Sequence, residues 1–434
     1  MDNKIAIIAD DFTGSNDTGV QFSKRNLKTV VVFNLYNIDN LDKSVDVIVI
    51  DTESRADSKN DAYDKNFKAA EKLKSRGVKY IYKKLDSTLR GNIGSEIEGV
   101  MDGGEFDLAV VCPALPENGR KTIGGNQFIY DIPLEKTEIA KDPIAPVKHS
   151  FIEDIIKEQC DKKSVTINIK DLLKGEEHYF KVVRDLIKND NKIIISDSIT
   201  REDLNLVSKI IKKIDKRVLL VGSAGLAESL PEVLNLKNQK VINNYTREGI
   251  IAGIVGSVSD VSRKQVEFAN KQLNNLKVID INLEKVLDES QNEEKIRLKK
   301  LIKKNINSNK DIIIRSAKER KLVEKAREIG KNKGLNNKEV SKKIAEFMGN
   351  IAKELYQEKE IKALFLTGGD IAIQSASIIG AEANIIKEEV LPGIPLSFLS
   401  GNELKEKPVV TKAGAFGEDD SVVKIFQYLR EWEK

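Results

Sequence analysis

Carboxylates, hydroxyls and glycines crowd one short stretch near the start of the chain, Asp10-Asp11-Phe12-Thr13-Gly14-Ser15-Asn16-Asp17-Thr18-Gly19. Paired acids beside hydroxyls can order a hydroxylated ligand, hold a hydrated metal, or take a proton from an alcohol. A helix cap followed by a turn needs only one such Asp. A second stretch, Lys84-Leu85-Asp86-Ser87-Thr88-Leu89-Arg90-Gly91-Asn92, runs into the helical pattern Ile93–Val100. Arg90 can grip a carboxylate through two parallel hydrogen bonds, which Lys does less well. Ser87 and Thr88 add donors where a helix dipole also favours an anion. A third stretch, Cys112 to Arg120, is stiffened by Pro113 and Pro116 and offers Asn118 and Arg120 as further polar groups.

The second half of the chain carries different chemistry. Gly256-Ser257, Thr367-Gly368-Gly369-Asp370, Pro392-Gly393 and Lys412-Ala413-Gly414-Ala415-Phe416-Gly417 are short glycine turns at or near the ends of apolar runs. Glycine lets backbone N–H groups approach a phosphate closely, and a following helix adds its positive end. Together they make a nucleotide cradle a reasonable expectation. There is no Walker A pattern, no protein-kinase glycine loop and no GxGxxG fingerprint, so an ATP site here would use another glycine arrangement.

These groups need a scaffold that holds them at strand ends. Apolar, β-branched runs recur at Ile5–Ala9, Val30–Phe33, Val47–Ile50, Leu108–Cys112, Ile193–Ile195, Val218–Val221, Ile250–Val255, Ile312–Ile314 and Leu364–Thr367. They lack alternation, which marks strands buried on both faces. Charged segments with helical spacing separate them, as at Asp61–Arg76, Asp203–Ile214 and Ser341–Gln357. The expected fold is α/β, with two domains each built on a largely parallel sheet flanked by helices. A polar stretch at Leu236–Arg247 places the domain break, giving residues 1–240 and 241–434. The Lys-rich block Glu293–Lys310 reads as a solvated helix with its loop, and no internal repeat is visible.

Composition narrows the function. Basic and acidic residues nearly cancel, 72 against 68, so there is no general field for nucleic acid. Cys112 and Cys160, with His149 and His178, are too few for a disulfide framework or a Cys/His zinc cluster. Neither histidine has a nucleophile elbow nearby, which disfavours a hydrolase triad. Met1 to Lys4 leads straight into a strand-like run without a signal pattern, and no apolar run approaches a membrane span. The expected place is the cytoplasm, with no membrane partner.

The motifs together resemble the four-carbon acid sugar kinase family, once catalogued as a domain of unknown function. The resemblance rests on Asp10 to Ser15 with Asp17-Thr18-Gly19, on Lys84 with Asp86 to Asn92, on Pro113 to Arg120, and on Lys412 to Gly417. It covers nearly the whole chain. Two positions depart from the family pattern: Ile371 stands where Thr is frequent, and Ala415 where the family has a second glycine.

The resemblance implies a sugar-acid-binding first domain and an ATP-binding second domain. It implies transfer of the γ-phosphoryl group to the terminal hydroxyl of threonate, erythronate or a 3-oxo-tetronate, with Mg²⁺ on the ATP phosphates. Ser257, Thr367, Gly368, Gly369, Asp370 and Gly414 match its nucleotide-contact motifs. On this reading Arg90, Ser87 and Arg120 hold the substrate carboxylate, while Asp10, Asp17 and Asn118 contact the acid. Asp86 and Asp11 are the expected catalytic carboxylates; Asp11, Asp17 or Asp86 would order the hydroxyls and one of them act as base, with Asp86 favoured. No residue is assigned as a protein metal ligand. The rival is a non-catalytic binder of sugar acid and nucleotide on the same scaffold, with a dehydrogenase ranking third. The oligomeric state stays open, a homo-oligomer included.

Overall fold

The computed structural model describes residues 5–142, 145–236, 248–257, 259–402 and 404–432. The chain forms two compact units, Met1–Gln239 and Lys240–Lys434. Most of the stretch expected to hold the domain break, beyond Leu236, lies outside the described residues.

The first unit has strands β1 Ile5–Ala9, β2 Thr29–Val32, β3 Val47–Asp51, β4 Ile81–Lys84 and β5 Leu108–Cys112. The short β6 Arg120–Ile123, β7 Asn126–Ile129 and β8 Ile132–Pro133 form a separate antiparallel sheet. Then come β9 Ser164–Ile167, β10 Ile193–Ser196 and β11 Val218–Gly222. The main sheet runs β2-β3-β1-β4-β11-β5-β10-β9, and every neighbouring pair is parallel. Parallel neighbours need long crossovers, here mostly helical, and strands covered on both sides are apolar throughout. All five residues of β1 are buried accordingly.

Three helices matter to the site: α1 Phe12–Ser23, α2 Lys59–Ser75 and α3 Ile93–Gly104. Asp11 caps α1 by accepting the Gly14 N–H at 2.9 Å. α1 buries Asn16, Asp17 and Thr18 along with its apolar residues. That is costly unless the polar groups are satisfied or used. The chain leaves β1 toward β2 and β3 on one side, and leaves β4 toward β5 on the other. The crevice between β1 and β4 is therefore a topological switch point, where open α/β sheets bind ligands beyond the strand ends. The first two motif loops flank it.

The second unit has β12 Ile250–Val255, β13 Leu276–Asp280, β14 Asp311–Arg315, β15 Ile361–Thr367, β16 Ala383–Leu391, β17 Ile394–Ser400 and β18 Pro408–Lys412. Their order is β13-β14-β12-β15-β18-β17-β16. The run from β13 to β18 is parallel, whereas β17 pairs antiparallel with both β18 and β16. Its core packs Val255, Phe365 and Val410 against Ile425 and Phe426 of the helix Ser421–Glu431. The switch point falls between β12 and β15, directly below Gly256-Ser257 and Gly368-Gly369-Asp370.

Details differ from the sequence expectation. The helical segment Asp203–Ile214 is broken into Arg201–Ser208 and Ile210–Lys213. The Lys-rich block forms the helix Gln291–Asn307 with few buried residues. Pro392-Gly393 is the turn of the β16–β17 hairpin, with Gly393 at φ +72°, and it does not line the cavity that Gly256, Gly368 and Gly414 share. No helix among the described residues is long and apolar enough to cross a membrane.

Candidate active site

At the end of β1 the Asp10 carboxylate is only 1% exposed. It accepts two hydrogen bonds from Arg55, from Nε at 2.7 Å and Nη2 at 3.1 Å, while Asp11 accepts from Nη1 at 2.7 Å. Burial alone would raise the Asp10 pKa, but the Arg55 charge and hydrogen bonds, helped by Lys83 and Lys84, hold it below its usual value. One guanidinium thus ties both carboxylates of the Asp-Asp pair. Arg55 was not singled out from the sequence. Its signal was Asp51-Thr52-Glu53-Ser54-Arg55, an acid- and hydroxyl-bearing loop at another strand end. Gly91 makes room for it: at φ +99°, a Cβ there would lie 3.1 Å from Arg55 Cγ and 3.3 Å from its Cα.

Asp17 lies one turn into α1. Its carboxylate accepts the Thr18 hydroxyl at 2.8 Å and faces the buried Lys84 ammonium at 3.9 Å. Burial pushes the Asp17 pKa up to about 6, opposed by Lys84 and Thr18 and assisted by the nearby charges of Asp11 and Asp86. Below it, Lys83 pairs with Glu96 of α3 at 2.8 Å, and both side chains are 1% exposed. Ser54 donates to the other Glu96 oxygen at 2.7 Å.

Asp86 accepts from Thr88 Oγ1 and, at 2.6 Å, from Arg90 Nε. Burial opposes its ionisation, yet Arg90 and Arg55 outweigh burial and hold the carboxyl far below the usual range. Arg90 is also shared with Asp142 at 3.3 Å. Arg120 differs. It donates to the Asn118 carbonyl, its Nε is buried without a partner, and among the described residues no carboxylate lies within ion-pair distance. Burial lowers its pKa, as does Arg90, while Tyr130 and Asp86 act the other way. The structure therefore gathers Asp10, Asp11, Asp17, Asp86, Arg90 and Arg120 around one crevice. Ser87 contributes its carbonyl to Gln127 at 2.8 Å, and Asn118 enters through its carbonyl.

In the second unit a cavity of about 300 Å³ is lined by Gly256, Ser257, Gly368, Gly369, Asp370 and Gly414, together with an apolar wall. Thr367, at the end of β15, does not line it, and its buried hydroxyl has no partner among the described residues. The loop after β18 has its carbonyls turned inward. Lys412 Nζ donates to Ala413 O at 2.8 Å and to Phe416 O at 3.1 Å. Ser259 and Ser262 both donate to Gly414 O at 2.7 Å. Gln265 donates to the carbonyls of Phe416, Gly417 and Glu418 at 2.9–3.0 Å. Burial pulls Lys412 down to about 7, whereas the carbonyls around it favour the ammonium. With its carbonyls occupied, this loop has N–H groups to offer an anion.

The family model described as a sugar-binding N-terminal domain matches residues 5–230, and one described as a nucleotide-binding C-terminal domain matches residues 252–422. A D-threonate kinase of Salmonella typhimurium is 31% identical over 432 residues, 99% of either chain. The chain belongs to the four-carbon acid sugar kinase family. A D-erythronate kinase of Heliobacterium modesticaldum is 28% identical, covering 98% of this chain and 97% of its own. A solved Salmonella typhimurium LT2 protein shares the fold, with a TM-score of 0.81 at 21% identity over 97% of this chain and 98% of its own. Both departures from the family's motifs have a structural account. Ile371 packs against Gly256, where a Cβ would fall 2.0 Å from Ile371 Cγ1, and it also lines the cavity. Ala415 does not have a positive φ, so its backbone conformation does not require glycine.

Proposed function

We propose that this chain is an ATP-dependent kinase that phosphorylates the terminal hydroxyl of a four-carbon acid sugar, D-threonate or D-erythronate. The observation that carries this reading is the end-to-end match to a D-threonate kinase across both domains. The crevice of the first unit takes the acid, and the glycine-lined cavity of the second takes the nucleotide.

Arg120, which has no acidic partner among the described residues, holds the substrate carboxylate, with Arg90 beside it. Asp10 and Asp11, locked by Arg55, accept hydrogen bonds from the sugar hydroxyls. Asp17 is the base. A carboxylate with a pKa near 6 is half-charged at about pH 6 and mostly charged at neutrality, where it can accept a proton, whereas Asp86 is a weak base held by Arg90 and Thr88. This reverses the sequence preference for Asp86, which instead orients Arg90. As the substrate oxygen bonds to the γ-phosphorus, its proton passes to Asp17 and the bond to the β-phosphate oxygen breaks, releasing ADP. Mg²⁺ takes phosphate oxygens, several waters and one or two carboxylates, and Asp370 is the carboxylate on the cavity wall suited to it. Bound there, it would neutralise phosphate charge.

An ADP-release assay with Mg²⁺ and a panel of D-threonate, L-threonate, D-erythronate and 3-oxo-tetronates tests this function. Turnover of D-threonate or D-erythronate is expected. Tight acid binding without ADP release would turn the reading toward a non-catalytic binder, which neither Ile371 nor Ala415 favours.

A further inference from the structure

The small antiparallel sheet of the first unit carries Arg120 as the first residue of β6. Of the residues in its strands, Thr122 and Gln127 are the two that are buried, both at 0% exposure. They pair across the ladder, and the Gln127 amide oxygen accepts the Thr122 hydroxyl at 2.7 Å. Apolar β-branched side chains are the ordinary filling for buried strand positions, because a buried polar group costs stability unless it is hydrogen-bonded. Here the polar pair has a third partner. The Gln127 amide nitrogen donates to the Ser87 carbonyl at 2.8 Å, reaching from the sheet to the loop after β4. A carbonyl can only accept, so that contact fixes which way the amide faces.

The sheet is also anchored to the end of β10. Thr122 and Ser198 exchange two backbone hydrogen bonds at 2.9 and 3.1 Å. The Asp197 carboxylate accepts the Gly124 and Gly125 N–H groups at 2.7 and 2.8 Å. None of these bonds reaches the loop 86–92, whereas the Gln127 amide does. Arg120 stands two residues from Thr122, on the same face of β6, since side chains alternate along a strand. Ser87 follows Asp86, whose carboxylate accepts Arg90 Nε at 2.6 Å. One amide therefore joins the carriers of both arginines. A carboxylate gripped by side chains from two segments is bound well only while their separation is held. We propose that Gln127 is a positioning residue for acid binding, which sets Arg120 against Arg90 by fastening the small sheet to the Ser87 carbonyl. The proposal rests on the reading of Arg120 as a holder of the substrate carboxylate.

A double-mutant cycle in steady-state kinetics tests this, using the full chain with Mg²⁺, ATP and whichever of D-threonate and D-erythronate turns over. Gln127→Met keeps the bulk and removes both side-chain hydrogen bonds. It should raise KM for the acid about tenfold, with KM for ATP within about twofold. In an Arg120→Met background the same change should raise the acid KM less than about twofold, because the group it positions is gone. An unchanged acid KM in Gln127→Met, or equal rises with and without Arg120, would overturn the proposal and leave the kinase reading standing. A rise in both KM values together would mark a merely structural role and count against it equally. An acid KM untouched by Arg120→Met alone would remove the reading of Arg120 on which the proposal rests. Wild-type protein that turns over neither acid would overturn the kinase reading and the proposal with it. Should Gln127→Met not fold, Thr122→Val, which releases the amide oxygen, enters the same cycle and the same outcomes decide.

Discussion

Asp17 owes its chemistry to position: a carboxylate buried in a helix, with an ammonium 3.9 Å away and two other acids in range. In its proposed role as base it must be ionised to work. The acidic limb of kcat/KM should therefore turn near pH 6, with activity rising to a plateau above it. Asp17→Asn should lose about 10²–10⁴-fold in kcat. A limb below about pH 4 would return the role to Asp86. Stability should carry the same signature. A carboxyl whose folded pKa is raised binds its proton more tightly when folded, so its contribution is full below about pH 4 and is lost as pH rises through about 6. Asp17→Asn should flatten that decline in chemical denaturation. Arg120 is the complementary case. Arg120→Met should raise KM for the acid about tenfold or more with KM for ATP unchanged, since a charge-assisted hydrogen bond is worth about 1.5–3 kcal/mol. The motifs made Asp10, Asp11, Asp17 and both arginines legible in the sequence. Their division of labour was not, because ionisation depends on neighbours from other strands. Arg55 shows this best: it sits more than forty residues from either aspartate it bonds.

At the scale of elements, strand β4 ends in two lysines that both point into protein. Such a strand end is unusual unless each charge is matched. Lys83 is matched by Glu96, and thereby fastens β4 to α3 in a place where water does not compete. Lys83→Met strands a buried carboxylate and should destabilise by about 3–5 kcal/mol in urea titration. Adding Glu96→Leu should recover most of that loss, whereas a purely local role for Lys83 would give none back. The parallel strands were readable because burial on both faces writes an unbroken apolar run. The hairpin of β16 and β17 was not. β16, with Asn384, Lys387, Glu388 and Glu389, is half-buried along much of its length, and a strand with one wet face resembles a loop in composition. The antiparallel sheet from Arg120 to Pro133 escaped for the same reason, since its strands are short and polar.

At the scale of the molecule, one pattern is used twice. The order β2-β3-β1-β4 in the first unit recurs as β13-β14-β12-β15 in the second. Each time the switch point falls beside the first strand of the unit, and each time the motif loops stand there. No sequence repeat announces this, because topology constrains where loops converge without fixing their residues. The positions of both candidate sites were therefore legible as loops after apolar runs, and their proposed chemistry as two unlike motif sets. The extent of the cavity wall was not, since Val323, Val340 and Ile344 look like any helix face until two helices meet.

The burial of the Lys83–Glu96 pair, and of Asp10 beneath Arg55, has a consequence in salt. Mobile ions weaken attraction across solvent over a Debye length of about 8 Å at physiological ionic strength, but they do not enter an interior with 1% exposure. Between about 0.05 and about 0.5 M sodium chloride, saturated turnover should stay within about twofold. Capture of the free acid and nucleotide, both drawn in through water, should weaken over the same range and raise both KM values.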